Sequence, residues 1–342
     1  MAQMIHSAKP RIVIYGVGLF GTMTAQLVRA RGWPIVAAYN RAGDKVGKDL
    51  GVLAGEEPWG ICVEDSDQAN FSGLEADVAI MATTDRLAQN MTGYARMLGA
   101  GLNVICHGSE AYFARGIDMS LHDEIDAMAK ANGVSFLGTG VWDYSRIWSG
   151  ILVAGPCQNI ERLFHKSITN IGESKYTDVV GIGFTQEKFA ETIGKVPGPI
   201  GGIYKTIPQH VLYGLGYTIK DVTEKREPVL YEHPVWCAAL DKNIEPGISA
   251  GTRIVVNVTT DEGVTASAHI ELRVFEAGEE DNMLWQVIGN PSSDLRTVRR
   301  DSGTASAACM VNRVRDIIAA PPGINLVCEL GPIKTTALEP TP

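Results

Sequence analysis

Short apolar runs alternate with helical patterns through the first 140 residues of the chain. The runs are too short for helices and rich in β-branched residues, so they predict the strands Arg11–Tyr15, Ile35–Tyr39, Asp77–Ala82, Leu102–Cys106 and Val134–Leu137. Apolar residues at helical spacing predict the helices Leu19–Ala30, Leu87–Ala100 and Asp118–Asn132. In the first helix Leu19, Met23, Leu27 and Ala30 lie on one side. Alternation of this kind, with nearly all-apolar strands, predicts a doubly wound α/β domain with a parallel sheet.

The pattern changes after about residue 145, where predicted strands follow one another with few helices between them. These strands are Ile160–Asn170, Thr252–Val258, Thr265–Phe275 and Asn282–Ile288. Helical patterns cover Thr185–Ile193, Pro208–Leu215 and Ser302–Ala320, and Thr335–Pro342 is expected to be a frayed tail. This arrangement predicts a second, α+β domain with an open mixed or antiparallel sheet.

Composition narrows the class of protein. A length of 342 residues suggests two domains, and an excess of acidic residues, 39 against 30 basic, argues against a nucleic-acid partner. The six cysteines show no C-x-x-C spacing and no histidine at metal-ligand spacing, so no metal site is expected. No secretory signal or membrane-spanning apolar stretch is visible. We therefore expect a cytoplasmic protein that does not bind membranes.

A glycine-rich segment, Gly16-Val17-Gly18-Leu19-Phe20-Gly21, directly follows the first predicted strand and opens the first helix. In that place it fits the G-x-G-x-x-G fingerprint of dinucleotide binding. Gly16 allows a tight turn, Gly18 lets the backbone approach a pyrophosphate, and Gly21 lets the helix pack closely on the strand. The helix end formed by Leu19 and Phe20 offers N–H groups to phosphate. The alternative is a glycine-rich turn without a ligand.

The end of the second strand distinguishes the two nicotinamide cofactors. A carboxylate there would hold the ribose hydroxyls of NAD, and an arginine would accommodate the 2′-phosphate of NADP. The chain has Asn40 followed by Arg41 and no carboxylate at the strand end. This favours NADP, with acceptance of NAD left open. The alternative is that Arg41 is a solvated loop residue.

Polar residues also follow the strand that ends at Ala82. Thr83 and Thr84 are candidates to contact the ribose or nicotinamide side of the cofactor, because ligands bind at the carboxyl ends of strands in open sheets. The alternative, which does not exclude the first, is that Thr84 or Asp85 caps the following helix.

The next strand end reads Cys106-His107-Gly108-Ser109-Glu110. Glu110 is a candidate general acid or base, or a partner for a cationic amine. His107 is a candidate hydrogen-bond partner of the nicotinamide carboxamide or of the substrate, and Gly108 lets the backbone approach the cofactor. The alternative for Glu110 is a surface position or a cap on a helix near residues 111–115.

Seven segments in chain order carry a resemblance to a known group of enzymes. They are RIVIYGVGLFGTMTAQLV at 11–28, KVGKDLG at 45–51, DVAIMATTDRL at 77–87, GLNVICHGSE at 101–110, IKDVTEKREPV at 219–229, IEPGISAGTRIVV at 244–256 and GTASAACMVNRVRDIIAAPPG at 303–323. The chain resembles 2,4-diaminopentanoate dehydrogenases and native amine dehydrogenases, which are distant relatives of dihydrodipicolinate reductases. The paired-histidine and DAPSG-like signature of true dihydrodipicolinate reductases is absent.

The resemblance implies a Rossmann domain over residues 1–140 and 305–342, and a substrate and dimerisation domain over 141–304. It implies a homodimer and an NAD(P)H-linked interconversion of an amine with a ketone and ammonia. The family glutamate that handles ammonia and the amine corresponds to Glu110. Relatives often show two adjacent carboxylates there, whereas this chain has Ser109-Glu110.

One loop departs from the family pattern and leaves the substrate open. Relatives often have Asn-Pro-Gly where this chain has Trp142-Asp143-Tyr144. Trp142 and Tyr144 would reshape the substrate pocket, and Asp143 would add a carboxylate for an amine; the alternative is that Trp142 and Trp148 only pack the interdomain joint. Further candidates for the pocket wall are Tyr176, Phe184 and His210.

Two other functions remain compatible with the sequence. One is an NAD(P)H-dependent reductase of a C=O or cyclic C=N bond without ammonia incorporation. The other is a nucleotide-binding protein without catalysis.

Overall fold

The computed structural model describes residues 9–196 and 198–335 of the chain. In chain order its strands are β1 (Ile12–Tyr15), β2 (Ile35–Asn40), β3 (Val63–Asp65), β4 (Val78–Met81), β5 (Asn103–Cys106), β6 (Ser135–Gly138), β7 (Asn159–Asn170), β8 (Ile219–Pro228), β9 (Val235–Cys237), β10 (Lys242–Ile244), β11 (Gly251–Thr260), β12 (Thr265–Arg273), β13 (Asn282–Asn290), β14 (Ser293–Val298) and β15 (Gly323–Asn325). Its α-helices are α1 (Leu19–Ala30), α2 (Leu50–Leu53), α3 (Leu87–Gly99), α4 (Met119–Ala131), α5 (Ser149–Ala154), α6 (Gln186–Glu191), α7 (Thr206–Gly214), α8 (Ser302–Asn312) and α9 (Val314–Ala319).

The chain divides into two compact units. The first runs to Asp143 and resumes at Asp301, and the second spans Tyr144–Arg300. No helix in the described ranges is long and apolar enough to cross a membrane.

The first unit contains a seven-stranded sheet in the order β15-β6-β5-β4-β1-β2-β3, in which every pairing is parallel. Its central strands are apolar and buried on both faces, as Ile12, Val13 and Ile14 of β1 show. The predicted doubly wound parallel sheet is therefore confirmed. The strand β1 lies between β2 and β4, so the chain continues on one side of β1 first and later on the other. In open α/β sheets, ligands bind at the carboxyl ends of the strands at such a point.

The helix α1 has the predicted bounds, but the predicted apolar side was wrong. Leu19 is 72% exposed, whereas the buried residues of the helix are Gly21, Thr24, Ala25 and Val28. Gly21 packs against the carbonyl group of Gly16 and near Ile14 of β1, so the side of the helix that contains Gly21 faces the sheet.

The C-terminal segment forms two helices instead of the one predicted over Ser302–Ala320. The helices α8 and α9 are separated at Arg313, and α8 packs against α1. The chain then adds β15 beside β6. Most of the tail predicted at Thr335–Pro342 lies outside the described residues.

The second unit contains a six-stranded sheet in the order β14-β13-β7-β12-β11-β8. The pairing of β7 with β12 is parallel, and the other pairings are antiparallel. The helices α5 and α7 pack on this sheet. The predicted α+β class with a mixed sheet is therefore confirmed.

Candidate functional site

The glycine-rich loop after β1 has the backbone that a dinucleotide site requires. Gly16 has a φ of +96°, and a Cβ on it would lie 2.5 Å from the carbonyl oxygen of Ala82. A Cβ on Gly21 would overlap the carbonyl oxygen of Gly16. A Cβ on Gly18, by contrast, would meet no atom within 4 Å. Gly16 and Gly21 are therefore needed for the fold of the loop, whereas Gly18 leaves open space above the backbone.

The N-terminus of α1 faces this open space without a cap of its own. Its N-cap residue is Gly18, which has no side chain, and its first turn contains no acidic residue. The Lys45 ammonium group donates a hydrogen bond to the Val17 carbonyl oxygen at 2.6 Å, which places a cation beside the loop. Unsatisfied N–H groups, the positive end of the helix dipole and a lysine together fit the pyrophosphate of a dinucleotide.

A cavity of about 890 Å³ extends from this loop along the carboxyl edge of the sheet. Six of the predicted cofactor residues line it: Gly16, Gly18, Asn40, Arg41, Thr83 and Thr84. The cavity is also lined by Lys45, Asp67 and Arg96, none of which was predicted as a cofactor residue. Lys45 lies in one of the segments that carry the family resemblance, whereas nothing in the local sequence marks Arg96, which an Asp67 carboxylate oxygen contacts at 2.8 Å.

The end of β2 joins the glycine-rich loop through a side chain. The Asn40 side-chain oxygen accepts a hydrogen bond from the Val17 amide at 3.1 Å. Arg41 is exposed at the cavity, and its guanidinium group makes no hydrogen bond or ion pair with the described residues. The arginine is therefore available to an anionic ligand.

Neither Thr84 nor Asp85 is the N-cap of α3. The N-cap residue is Arg86, which makes no capping bond with its own side chain. The Asp85 carboxylate instead accepts hydrogen bonds from the Ser109 amide and hydroxyl at 3.0 and 2.8 Å. Thr83 donates to the Asn90 side-chain oxygen at 2.6 Å. The loops after β4 and β5 are thus tied together at the carboxyl edge of the sheet.

Glu110 supplies the missing cap of α3. Its Oε2 accepts a hydrogen bond from the Leu87 amide at 2.8 Å, and its Oε1 lies 3.0 Å from Nη1 of Arg86. The residue is only 7% exposed. The interpretation of Glu110 as a cap near residues 111–115 was therefore wrong about the helix, because the capped helix begins 23 residues earlier in the chain.

The other predicted residues of this edge also contact the protein itself. The His107 ring stacks on Phe20 with centroids 4.1 Å apart. A Cβ on Gly108 would lie 2.6 Å from the carbonyl oxygen of Thr84. The chain therefore needs a glycine at 108 for packing against Thr84, a requirement that the local sequence does not indicate.

The expected role of Asp143 as a free carboxylate for an amine was wrong. Asp143 is fully buried, and its two oxygens accept hydrogen bonds from Nε and Nη2 of Arg313 at 2.7 and 2.9 Å. Thr139 donates a further hydrogen bond at 3.0 Å. Burial raises the pKa of the Asp143 carboxyl, and Arg313 and Thr139 oppose this rise. Because a buried carboxylate bound in this way is satisfied within the protein, Asp143 holds the C-terminal segment in place.

Trp142, the neighbour of Asp143, is 8% exposed, and its ring lies 5.4 Å from that of Tyr112 in the first unit.

The other candidates for the substrate pocket belong to the second unit. Tyr144 is half-buried, Tyr176 is exposed, and the Lys188 ammonium lies 3.7 Å from the ring centroid of Phe184. His210 is buried in α7, and burial lowers its pKa to about 3, so it is neutral at physiological pH. Their role in a substrate pocket stays a prediction.

Within the part of the chain that the structure describes, no group of three or more His, Cys, Asp or Glu side chains is arranged to hold a metal ion. The carboxyl edge of the sheet in the first unit thus combines the glycine-rich loop at the N-terminus of α1, a cavity and the buried carboxylate of Glu110.

Comparison with known proteins identifies the family of the chain. The family model of the 2,4-diaminopentanoate dehydrogenase C-terminal domain matches residues 150–339. A 2,4-diaminopentanoate dehydrogenase from Acetoanaerobium sticklandii is 24% identical over 94% of this chain and 93% of that protein.

Solved structures extend the comparison. The amine dehydrogenase from Mycobacterium smegmatis is 26% identical, with a TM-score of 0.84 over 97% of this chain and 98% of that one. A probable dehydrogenase from Thermotoga maritima, 11% identical, shares the fold with a TM-score of 0.61 over 94% of this chain and 92% of that one. The family model covers more than half of the chain. The chain therefore belongs to the 2,4-diaminopentanoate dehydrogenase family, as the resemblance predicted, and it is an NAD(P)-dependent oxidoreductase.

Proposed function

We propose that this protein is an amine dehydrogenase that prefers NADP and interconverts a small amine with the corresponding ketone and ammonia. The observation that carries the proposal is Glu110, a buried carboxylate that follows the carboxyl end of β5 and lies in the same unit as the glycine-rich loop. The names of the relatives, a diaminopentanoate dehydrogenase and an amine dehydrogenase, support an amine as the substrate.

The glycine-rich loop, Lys45 and Arg41 would hold the cofactor, whose nicotinamide ring supplies or accepts the hydride. In the direction of amination, a ketone, ammonia, a hydride and a proton yield the amine and water. The protein must therefore bind ammonia, move protons and exclude bulk water from the imine.

Glu110 is suited to the proton transfers. A carboxylate offers about four acceptor positions on its two oxygens. Arg86 and the Leu87 amide occupy one position on each oxygen. The remaining positions can accept hydrogen bonds from ammonium or from the amine. Because Arg86 and the α3 amide hold the carboxylate in one orientation, it needs no rearrangement when the substrate binds.

Ammonium dependence tests the proposed reaction. We expect the purified protein to oxidise NADPH with small ketones only when ammonium is present, because the amine nitrogen comes from ammonia. The measurement is the loss of NADPH absorbance across a panel of ketones, with and without an ammonium salt, and a sodium salt of the same anion as control. Turnover that does not need ammonium would establish the reductase of C=O or C=N bonds instead. Cofactor binding without turnover would favour a non-catalytic protein.

Arg41 is the residue that we propose selects NADP. Arg41→Ala is expected to weaken NADP binding by about 10- to 100-fold and NAD binding by less than about threefold, since a hydrogen bond to a charged group contributes about 1.5–3 kcal/mol. Titration calorimetry with both cofactors measures the effect. Lys48→Ala is the matched control, because Lys48 is an exposed cation of the same loop region that does not line the cavity. Equal losses for NADP and NAD in Arg41→Ala would contradict the preference.

The proposal includes a homodimer, as the family resemblance implies, and a cytoplasmic location, as the sequence analysis expects. The β7 and β13 side chains Phe164, Ile168 and Leu284, which are only half-buried within the second unit, support an association through its sheet. Light scattering of the purified protein would show the mass of two chains, and a monomer at micromolar concentration would contradict the dimer.

A further inference from the structure

His107 is held between two segments that are far apart in the sequence. On one side its ring stacks on Phe20 of α1 with an interplanar angle of 29°. At its edge, Nε2 lies 2.9 Å from Oγ of Ser306 in α8. The imidazole ring therefore has one orientation at the carboxyl end of β5, set by the glycine-rich loop and by the C-terminal segment.

The hydrogen bonds of Ser306 determine which nitrogen of His107 carries the proton. Ser306 is buried, and its Oγ accepts a hydrogen bond from the Val141 amide at 3.1 Å. An amide N–H can only donate, so the serine oxygen is an acceptor in that bond. The single hydroxyl proton then needs an acceptor. Across residues 9–196 and 198–335, Nε2 of His107 is the one remaining polar atom bonded to this oxygen. Nε2 therefore accepts, and the proton of a neutral imidazole is on Nδ1.

The free nitrogen of His107 is open to a ligand. Burial lowers the pKa of His107, an effect that the nearby Asp85 carboxylate opposes, so the ring is neutral at pH 7. Nδ1 has no hydrogen-bond partner among the described residues. It is not fully buried, so a ligand can reach it. The site thus presents a neutral N–H donor at the strand end that also carries Glu110.

We propose that Ser306 is a positioning residue that holds His107 as an Nδ1–H donor for a carbonyl oxygen of a bound ligand. In the other tautomer Nδ1 would present a lone pair, which repels a carbonyl oxygen. Either of two carbonyl groups can accept this hydrogen bond: the carboxamide of the nicotinamide ring or the carbonyl of the ketone. The identity of the carbonyl rests on the proposed function, whereas the tautomer does not.

Nitrogen NMR tests the tautomer without any substrate. In wild-type protein labelled with ¹⁵N-histidine, we expect Nδ1 of His107 in the range of protonated nitrogens and Nε2 in the range of unprotonated nitrogens. The signals that disappear in His107→Gln assign them. In Ser306→Ala we expect both nitrogens to shift toward intermediate values, because the two tautomers then interconvert. A wild-type protein with the proton on Nε2 would overturn the proposal, whatever the enzyme catalyses.

Kinetics and binding then identify the carbonyl group. Ser306→Ala is expected to lower kcat/KM by about tenfold or more, the size of one lost hydrogen bond to a ligand. A matching loss of binary cofactor affinity would identify the nicotinamide carboxamide. Unchanged cofactor affinity with a higher KM for the ketone would identify the substrate carbonyl. Ser306→Thr restores the hydroxyl and is expected to recover most of the effect.

Thr304→Ala is the matched control, because it removes an exposed hydroxyl from the same helix. Thermal unfolding of each variant checks that α8 is intact. Wild-type cofactor affinity and kinetics in Ser306→Ala, with a folded protein, would overturn the positioning role. Absence of ammonium-dependent turnover in the wild type would contradict the proposed function but leave the NMR and cofactor measurements to decide the role of Ser306.

Discussion

Gly18→Ala is expected to fold normally and lose cofactor affinity, whereas Gly21→Ala is expected to lose the fold of the loop. A methyl group on Gly18 meets no protein atom within 4 Å and projects where the glycine lines the cavity. We expect a change of less than about 1 kcal/mol in the free energy of unfolding and at least about a tenfold loss of cofactor affinity, because a phosphate can no longer approach the backbone. A methyl group on Gly21 would overlap the oxygen of Gly16, which is a backbone atom and not the end of a flexible side chain. The expected destabilisation is at least about 3 kcal/mol.

Chemical denaturation and cofactor titration of both variants measure these effects. Gly99→Ala is the matched control, because Gly99 also lies in a helix and a Cβ on it would meet no atom within 4 Å. We expect this control to bind cofactor like the wild type and to be as stable or slightly more stable, since alanine favours a helix by about 1 kcal/mol over glycine. Full cofactor affinity in Gly18→Ala would show that phosphate does not approach the loop at Gly18.

Glu110→Gln is expected to reduce ammonium-dependent turnover by at least about 100-fold, the usual contribution of a positioned acid or base. Cofactor affinity should stay within about threefold of the wild type, because Glu110 does not line the cavity that six of the predicted cofactor residues line. The amide oxygen of glutamine can still accept the hydrogen bond from the Leu87 amide, so α3 keeps its cap. Glutamine cannot exchange a proton with ammonia or the amine, which separates the chemical role from the structural one.

Steady-state kinetics with saturating ammonium and NADPH measure the loss in Glu110→Gln. Glu124→Gln, which changes an exposed carboxylate on α4 of the same unit, is the control and should behave as the wild type. Glu110→Ala removes the cap and the partner of Arg86 as well, so it should also lower the unfolding temperature. Retained amination in a folded Glu110→Gln protein would falsify the assignment of Glu110 as the proton-transfer group.

The local sequence was sufficient to predict the long elements of the first unit. The bounds of α1 agree with the prediction, and the five predicted strands are present with ends that differ by at most one residue. The strands β3 and β15 were missed, since three residues are too few to show a period. Neither the apolar pattern nor the composition of 302–320 predicted that the helix is interrupted at Arg313. The Arg313 side chain donates hydrogen bonds to Asp143.

The candidate site shows the same division between local and long-range information. Gly16, Gly18 and Gly21 could be interpreted from their spacing, because each role depends on backbone within a few residues or on the adjacent strand. The environments of Glu110, Asp143 and His107 could not. Their partners are Leu87, Arg313 and Ser306, which lie 23, 170 and 199 residues away in the chain.

The sequence by itself determined the fold class, the glycine-rich loop and the family of this protein. The fold class follows from the period of apolar residues, the loop from the spacing of its glycines, and the family from the resemblance of seven segments. Only the tertiary structure decided that Glu110 caps α3, that Asp143 is satisfied by Arg313 and that Ser306 is hydrogen-bonded to His107. The physical reason is that the charge and proton position of a side chain depend on its burial and its hydrogen-bond partners, and folding brings those partners from distant parts of the chain.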